Sequence, residues 1–238
     1  KKFERDFEKL TNTLLAAKWL CTKSAYKIMG GIGTFINTLF TVSDRGHVFK
    51  MIYNIVKRLQ QLKNHLPKSI DLMWDFITKI TLENPNYLPL NAPLSLDMSP
   101  INAKDDIVTA FKKRHFLSGL LVNELFTTFF YAGEKFKDVR AKAVKLFRDV
   151  LYQYSHDGSE MSEASANMYF PFILKLTDCK RRLKKISNTQ SLQETMDLYI
   201  SMFYLLNKIN KDILTSWWAN ESIAGTSSDD KSVRGLLF

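Results

Sequence analysis

The side chains best able to carry chemistry in this sequence are histidines and cysteines, and they are few and widely separated. The four histidines stand at His47, His65, His115 and His156. They form no HExxH motif, no pair four residues apart and no cluster with cysteine, which are the spacings that zinc sites use. We therefore predict no metal site, and a packing or hydrogen-bonding role for His115.

Acidic and nucleophilic residues form no catalytic constellation either. Asp157 follows His156, but an Asp-Gly pair after a helical stretch is typical of a turn. Glu160, Glu163 and Glu194 have no carboxylate partner that would make an acid–base pair, and no GxSxG motif is present. The sequence therefore predicts no catalytic residue, no bound cofactor and no active site in this chain.

Three glycines near the N-terminus fit a structural role. Gly30, Gly31 and Gly33 follow no strand pattern and match neither GxGxxG nor GxxxxGK, so a phosphate-binding loop is not indicated. We expect them to end a first helix that runs from Phe3 to about Met29.

Basic side chains outnumber acidic ones, 34 against 24, which gives a formal net charge of +10. Two basic clusters contribute to this excess: Lys112, Lys113 and Arg114, and then Lys180, Arg181, Arg182, Lys184 and Lys185. Such clusters are commonly solvated helix faces or helix C-termini, where cations suit the dipole. The alternative is contact with an anionic membrane surface, where each basic residue contributes roughly 1 kcal/mol. Nucleic acid is not a predicted partner, because the sequence has no aromatic-interleaved basic motif and no recognition-helix signature.

Apolar residues recur at three- and four-residue steps along most of the chain, which predicts about seven long amphipathic helices. Only 9 glycines and 6 prolines are present, and their scarcity favours helices over an all-β fold. Asp44 is the predicted N-cap of the second helix, and Pro67 lies in the predicted first turn of the third. After these, we expect helices at about 105–131, 135–154, 160–185 and 192–218, the third of these four kinked at Pro171.

Long helices joined mostly by short turns predict an all-α fold, an armadillo- or HEAT-like helical repeat array. The sequence shows no clean period, so this prediction rests on the helix pattern. We treat residues 1–238 as a single array region with a long Pro- and Asn-rich connection at 84–103 and a mobile Ser/Asp-rich loop at 220–233. Because the sequence opens inside one helical pattern and stops as another begins, we expect a fragment of a larger protein.

Neither a targeting segment nor a membrane span is predicted. The most apolar stretch, 116–131, is interrupted by Asn123 and Glu124 and is shorter than the roughly 20 apolar residues that cross a bilayer. Cys21 and Cys179 could form one disulfide, but isolated cysteines in helical patterns are more often buried and reduced. These features predict a cytoplasmic protein, with peripheral membrane contact as the alternative use of the basic clusters.

Four separated stretches of the sequence contain family-type motifs. They are DRGHVFKMIYNIV at Asp44–Val56, NYLPLNAP at Asn86–Pro93, HFLSGLLVNEL at His115–Leu125, and the predicted long helix from Glu194 to Trp218. Tyr154–Asp157 and Met168–Phe172 follow the third stretch at suitable spacing, and Lys23-Ser24 adds a weaker match. In this order, the stretches resemble the DOCK (dedicator of cytokinesis) family of Rho-GTPase guanine nucleotide exchange factors. The motif sequences resemble those of the zizimin-like C and D subfamilies more than those of the ELMO-binding members.

The resemblance implies a position in the family's armadillo-type helical array, between a lipid-binding C2-like region and a C-terminal catalytic region that acts on Rac or Cdc42. The GTPase-contacting and nucleotide-sensor segments of that catalytic region are not found in this sequence, so no catalytic residue is carried over. The matched residues are expected to pack helices together, among them Phe49, Leu120, Leu121 and Pro171.

The function predicted from this resemblance is a non-catalytic scaffold that spaces the membrane-binding and catalytic regions of an exchange factor. Its expected partners are other regions of the parent protein, adaptor proteins or a second protomer, and a Rho-family GTPase through the catalytic region. The alternative is an unrelated helical-repeat adaptor that binds a partner protein or peptide.

Overall fold

The computed structural model describes residues 2–90, 116–130, 134–153, 159–177, 191–212 and 214–215. Within these ranges the regular structure is entirely helical, so the predicted all-α fold is confirmed. A 3-10 turn, Glu134–Phe136, precedes the eighth α-helix. The α-helices are α1 (Lys2–Leu14), α2 (Ala17–Leu20), α3 (Ala25–Val42), α4 (Arg45–Gln61), α5 (Lys68–Ile80), α6 (Tyr87–Leu90), α7 (Phe116–Phe129), α8 (Lys137–Gln153), α9 (Ser159–Thr177) and α10 (Leu192–Lys208).

The chain divides into two compact units, Lys1–Ala92 and Pro93–Phe238. In the first unit, α3, α4 and α5 pack against one another. In the second unit, α8 packs against α7 and α10, and α9 packs against α7 and α10. Each unit therefore has a helix-on-helix core of its own.

Helices α4 and α5 match their predictions closely. The side chain of Asp44 accepts a hydrogen bond from the backbone N–H of His47 at 3.0 Å, which satisfies one of the free donors at the start of α4. Pro67 occupies the N-cap position of α5. Of the apolar stripes predicted from the sequence, Leu62 is half-buried and the other residues are buried: Phe49, Ile52, Ile55, Val56 and Leu59 in α4, and Ile70, Met73, Trp74, Ile77 and Ile80 in α5.

The N-terminal helix is divided differently from the prediction. The chain leaves the helical path at residues 15–16 and again at 21–24, and α3 then runs without a break through Gly30, Gly31 and Gly33. The prediction that these glycines end a helix is therefore wrong. Gly33 is buried, and a Cβ atom built on it would lie 2.6 Å from Cβ of Lys79. The glycine is needed because the backbone of α3 lies directly against α5 at this point.

The close approach at Gly33 gives a paired prediction. Gly33→Ala should lower the free energy of unfolding by about 1–3 kcal/mol, because the added methyl group overfills the contact between α3 and α5. Gly31→Ala should raise the same quantity by about 0.5–1 kcal/mol, since Gly31 is exposed, has no atom within 4 Å of its would-be Cβ and gains helix propensity. Urea unfolding of both variants checks the sign, and two changes of the same sign would contradict this account of the glycines.

The exposed tyrosine of α3 forms a second link to α5. The hydroxyl of Tyr26 donates to Oδ2 of Asp71 at 2.5 Å, and Nζ of Lys68 lies 4.7 Å from the centre of the same ring. The hydrogen bond to the Asp71 carboxylate is the main cause that raises the pKa of Tyr26 to about 12. Tyr26 is therefore neutral at physiological pH and stays a donor.

Helix α8 agrees with the predicted helix at 135–154, whereas the helix predicted at 192–218 is interrupted: α10 ends at Lys208, and helical structure resumes at residues 211–212 and 214–215. After Lys208, Ile209 takes an extended conformation. The backbone N–H of Asn210 donates to Oδ1 of Asn167 in α9 at 3.1 Å, and its side-chain amide donates to Oε1 of Glu163 at 2.8 Å. These hydrogen bonds to α9 lie at the interruption at residues 209–210, so tertiary contacts break a helix whose apolar pattern continues.

Several predictions fall on residues that the structure does not describe. They include most of the connection at 84–103, the loop at 220–233, Cys179 and the side chain of Pro171. The described start of the connection contains the short helix α6, and its first residue, Tyr87, is fully buried. Cys21 is exposed, so the prediction that it is buried is wrong: it lies in the turn between α2 and α3.

Candidate interaction surfaces

The eight basic residues predicted to contact an anionic surface all lie outside the described part of the chain. They are Lys112, Lys113, Arg114, Lys180, Arg181, Arg182, Lys184 and Lys185. The prediction that these residues contact an anionic surface therefore stays a prediction. The side chains that the structure does bring together are ionic residues at the contact between α8 and α10, which sequence reasoning missed.

The first ionic contact joins Arg140 of α8 to Glu194 of α10. Nε of Arg140 lies 3.3 Å from Oε1 of Glu194, and both side chains are fully buried. Burial raises the pKa of the Glu194 carboxyl, and the positive charge of Arg140 opposes this rise. The backbone N–H of Glu194 donates to the hydroxyl of Ser191, the N-cap of α10. The carboxyl itself is held by an arginine 54 residues away, and a hydrogen bond with the backbone of Ser191 also lowers its pKa.

The second ionic contact lies further along the same two helices. Arg148 donates from Nη1 to Oδ1 of Asp197 at 2.5 Å, and from Nη2 to Oδ1 of Asp149 at 2.6 Å. Hydrogen bonding to Asp149 is the main cause that raises the pKa of Arg148. Asp197 is almost completely buried and also accepts from the amide of Gln193 at 2.8 Å. Two arginines of α8 therefore hold two buried carboxylates of α10.

The two contacts leave α10 inverted with respect to an ordinary amphipathic helix. Its inward face carries Glu194, Asp197 and Ser201, together with Leu198 and Leu205. Its outward face carries large apolar side chains at helical spacing that are between 49% and 78% exposed, namely Leu192, Met196, Tyr199, Ile200 and Phe203. We call these five residues the α10 apolar face. Contiguous exposed apolar surface of this kind is uncommon on an isolated protein and marks contact sites.

The apolar spacing of α10 alone would place Met196, Tyr199 and Phe203 in the core, but each of them is about half exposed or more. Apolar periodicity identifies the face of a helix that prefers to leave water, but it does not say which protein covers that face. The sequence signal for the inverted arrangement is a set of opposite charges: arginines at 140 and 148, and acidic residues at 194 and 197. This signal can be read only if α8 and α10 are known to be neighbours.

Two of the family-like stretches meet in the first unit. Nη1 of Arg45, from the first stretch, donates to the carbonyl oxygen of Leu90, from the second, at 3.4 Å. The guanidinium of Arg45 also lies 6.0 Å from the ring centre of Phe49. In the second unit Leu120 and Leu121 are buried, as is Phe49 in the first. The prediction that the matched residues pack in helix contacts is confirmed for Phe49, Leu120 and Leu121.

The described residues give no indication of a metal or membrane-spanning site. No group of three or more His, Cys, Asp or Glu side chains within the described ranges is placed to hold a metal ion. Among those same ranges, no helix combines the length and the apolar character needed to cross a bilayer. The arrangement that is present consists of ion-paired helix contacts and an uncovered apolar face, which are features of packing and association.

The described helices of each unit thus pack through apolar stripes, and in the second unit buried ion pairs also join α8 to α10. Comparison with known proteins finds relatives of one kind. The chain is 28% identical over 163 residues to dedicator of cytokinesis protein 9 of Mus musculus, which covers 64% of the chain and 8% of that protein. It is 24% identical over 197 residues to dedicator of cytokinesis protein 8 of Mus musculus, covering 71% of the chain and 9% of that protein. It is 27% identical over 186 residues to dedicator of cytokinesis protein 6 of Mus musculus, which covers 63% of the chain and 9% of that protein.

These relatives agree with the resemblance to the dedicator of cytokinesis family that the motifs carry: the chain is similar to such proteins over about two thirds of its length. It spans less than a tenth of the length of these curated relatives. No family model matches the chain, and no solved structure matches it. The assignment to the zizimin-like C and D subfamilies stays a prediction.

Proposed function

We propose that this chain is a non-catalytic helical scaffold region of a guanine nucleotide exchange factor for Rac- or Cdc42-like GTPases. In this proposal the chain is part of an armadillo-type array that spaces the membrane-binding and catalytic regions of the parent protein. The relationship to dedicator of cytokinesis proteins supports the parent's activity. The α10 apolar face is the observation that supports the scaffold role, because a helix with buried charges and an outward apolar stripe needs a protein neighbour.

We further propose that the neighbour on the α10 apolar face is another helical region of the parent protein. In helical-repeat arrays each unit buries its apolar surface against the next, and continuous stacking creates the core. Tyr199 and Phe203 would then fill the same role between units that Leu198 and Leu205 fill within this one. The GTPase would be bound by the catalytic region and not by this chain.

A nucleotide-release assay tests the proposed division of labour. Full-length parent protein should accelerate release of labelled GDP from Rac or Cdc42, whereas the 238-residue chain should leave the spontaneous rate unchanged. Release stimulated by the chain alone would contradict the non-catalytic role. A parent protein that stimulates no Rho-family GTPase would favour the alternative, a helical-repeat adaptor that binds a partner protein or peptide.

The contact role of α10 gives a prediction that compares two contexts. In the isolated chain, Phe203→Gln should change the free energy of unfolding by less than about 0.5 kcal/mol, since the ring is already 70% exposed. In the full-length parent, the same substitution should weaken the packing on α10 by roughly 1.5–3 kcal/mol, the value of a buried phenylalanine. Hydrogen exchange of the α10 backbone amides measures the effect in both contexts.

The matched control for this comparison is Tyr152→Gln in α8. Tyr152 is also an exposed aromatic residue, at 64%, but it lies outside the α10 apolar face. It should alter exchange little in either context. Equal protection of α10 in the wild-type parent and in its Phe203→Gln variant would contradict a covered α10 apolar face.

A further inference from the structure

The segment 45–70 has an unusual charge composition that the two predicted basic clusters do not include. Between Asp44 and Asp71 the chain has no acidic residue and six basic ones: Arg45, Lys50, Lys57, Arg58, Lys63 and Lys68. The segment comprises α4, the following turn and the start of α5. Residues 1–92 carry 14 basic and 7 acidic side chains, so the first unit holds +7 of the total charge of +10.

Helix α4 sorts these charges onto its outer surface. Lys50, Lys57 and Arg58 are exposed, and so are Tyr53, Asn54 and Gln61 on the same side of the helix. The opposite side is fixed in the core of the first unit by the buried residues Val48, Phe49, Met51, Ile52, Ile55, Val56 and Leu59. Because that side is anchored by seven buried residues, the helix cannot turn its cations inward.

Three of the four cations of α4 are not neutralised within the described structure. No carboxylate of the described residues forms an ion pair with Lys50, Lys57 or Arg58. Nζ of Lys57 lies 5.8 Å from the ring centre of Tyr53, whose side chain is 48% exposed. We define Lys50, Tyr53, Lys57 and Arg58 as the α4 basic face.

We propose that the α4 basic face binds the surface of an anionic lipid bilayer. Lys50, Lys57 and Arg58 are exposed on one side of a single helix, so these cations can meet a planar anionic surface together. Tyrosine with a half-exposed ring suits the headgroup region, because one end of the ring is apolar and the other is polar. Lysine and arginine strengthen binding to an anionic surface roughly fivefold each.

This inference rests on the charge and exposure of α4 and is independent of the α10 apolar face. It also differs from the sequence-based expectation of membrane contact, which named residues 112–114, 180–182, 184 and 185. A membrane contact on α4 would orient the first unit with α4 toward the bilayer. In the proposed scaffold it would add a lipid contact within the helical array itself.

Vesicle co-sedimentation with the full 238-residue chain tests the inference. The probes are phosphatidylcholine vesicles with about 30% phosphatidylserine and vesicles of phosphatidylcholine alone, at about 0.1 M salt. The chain should bind the anionic vesicles, and the triple variant Lys50→Gln/Lys57→Gln/Arg58→Gln should bind them about 100-fold more weakly. Circular dichroism shows whether the variant keeps its helices, which is expected because all three side chains are exposed.

The control removes three equally exposed charges elsewhere, in Lys145→Gln/Lys208→Gln/Lys211→Gln. It should keep anionic-vesicle binding within a few-fold of wild type. Equal weakening by both triple variants would show that net charge alone drives binding and would overturn a specific α4 face. Absence of binding to anionic vesicles would also overturn the proposal, and retention of an acidic polypeptide such as polyglutamate in that case would assign the face to a protein partner.

Discussion

Arg140→Met is expected to lower the free energy of unfolding by about 3–5 kcal/mol, the cost of leaving one member of a buried ion pair without its partner. The Glu194 carboxyl is fully buried, and its raised pKa already reflects the loss of water around it. Methionine fills much of the volume of arginine and removes only the charge and the donors. Urea unfolding of the 238-residue chain, followed by helical circular dichroism, measures the change.

Two controls separate the effect of burial from that of charge. Glu83→Gln removes an exposed partner of Lys79 four residues away on the surface, and should cost less than about 0.5 kcal/mol. The double variant Arg140→Met/Glu194→Leu replaces the whole buried pair by apolar side chains and should recover most of the lost stability. A double variant as unstable as Arg140→Met would mean that the pair is needed for more than mutual neutralisation.

The pH dependence of the Arg140→Met variant has a definite sign. Arg140 is the largest influence that opposes the rise burial causes in the Glu194 pKa, so without it the folded variant binds a proton at Glu194 more tightly than the wild type or the unfolded chain does. The stability that the variant gains from the proton on Glu194 is present at low pH. It is lost as the pH rises through the pKa that Glu194 has in the folded state. The deficit relative to wild type should therefore be smaller near pH 5 than near pH 8. A deficit that grows on acidification would contradict this role of Arg140 at Glu194.

The helices of the first unit show where the sequence is informative. Helices α4 and α5 were predicted with their caps and their buried stripes because local signals and the core agree: Asp44 caps, Pro67 stands at a helix start, and Trp74 lies on the apolar side. The path of the chain around Gly33 was not predicted. A glycine can end a helix or allow two helices to touch, and only the position of Lys79 on the neighbouring helix decides between these roles.

The α10 apolar face shows the second limit of sequence reasoning. The stripe of apolar residues was visible, but the inward face was chosen by Arg140 and Arg148 of another helix. Once two buried carboxylates are paired, rotating α10 to bury Phe203 would break both ion pairs. Long-range pairing of this kind leaves no periodic signal, and it is what turns a helix that looks like core into one with an exposed contact surface.

Phe147→Ala should lower the free energy of unfolding by about 3–5 kcal/mol, the other large effect expected in this chain. Phe147 is fully buried in α8, and its ring centre lies 5.4 Å from that of Tyr169 and 4.9 Å from that of Phe172, both in α9. The interplanar angles of 83° and 61° are those of edge-to-face contacts. Alanine would remove both contacts and leave a cavity between α8 and α9. Urea unfolding measures the loss.

The aromatic partners of Phe147 belong to the family-like stretch Met168–Phe172, so this variant also tests what that stretch does. Phe147→Leu keeps most of the volume and should cost less than about 1.5 kcal/mol, while Phe203→Ala, at a 70% exposed position, should cost less than about 0.5 kcal/mol. A loss for Phe147→Ala no larger than that for Phe203→Ala would show that the cluster does not stabilise the second unit. If the free energy of unfolding of Phe147→Ala is well below that of Phe147→Leu, the stretch Met168–Phe172 stabilises the helix packing. That result is consistent with a scaffold whose matched residues hold helices together.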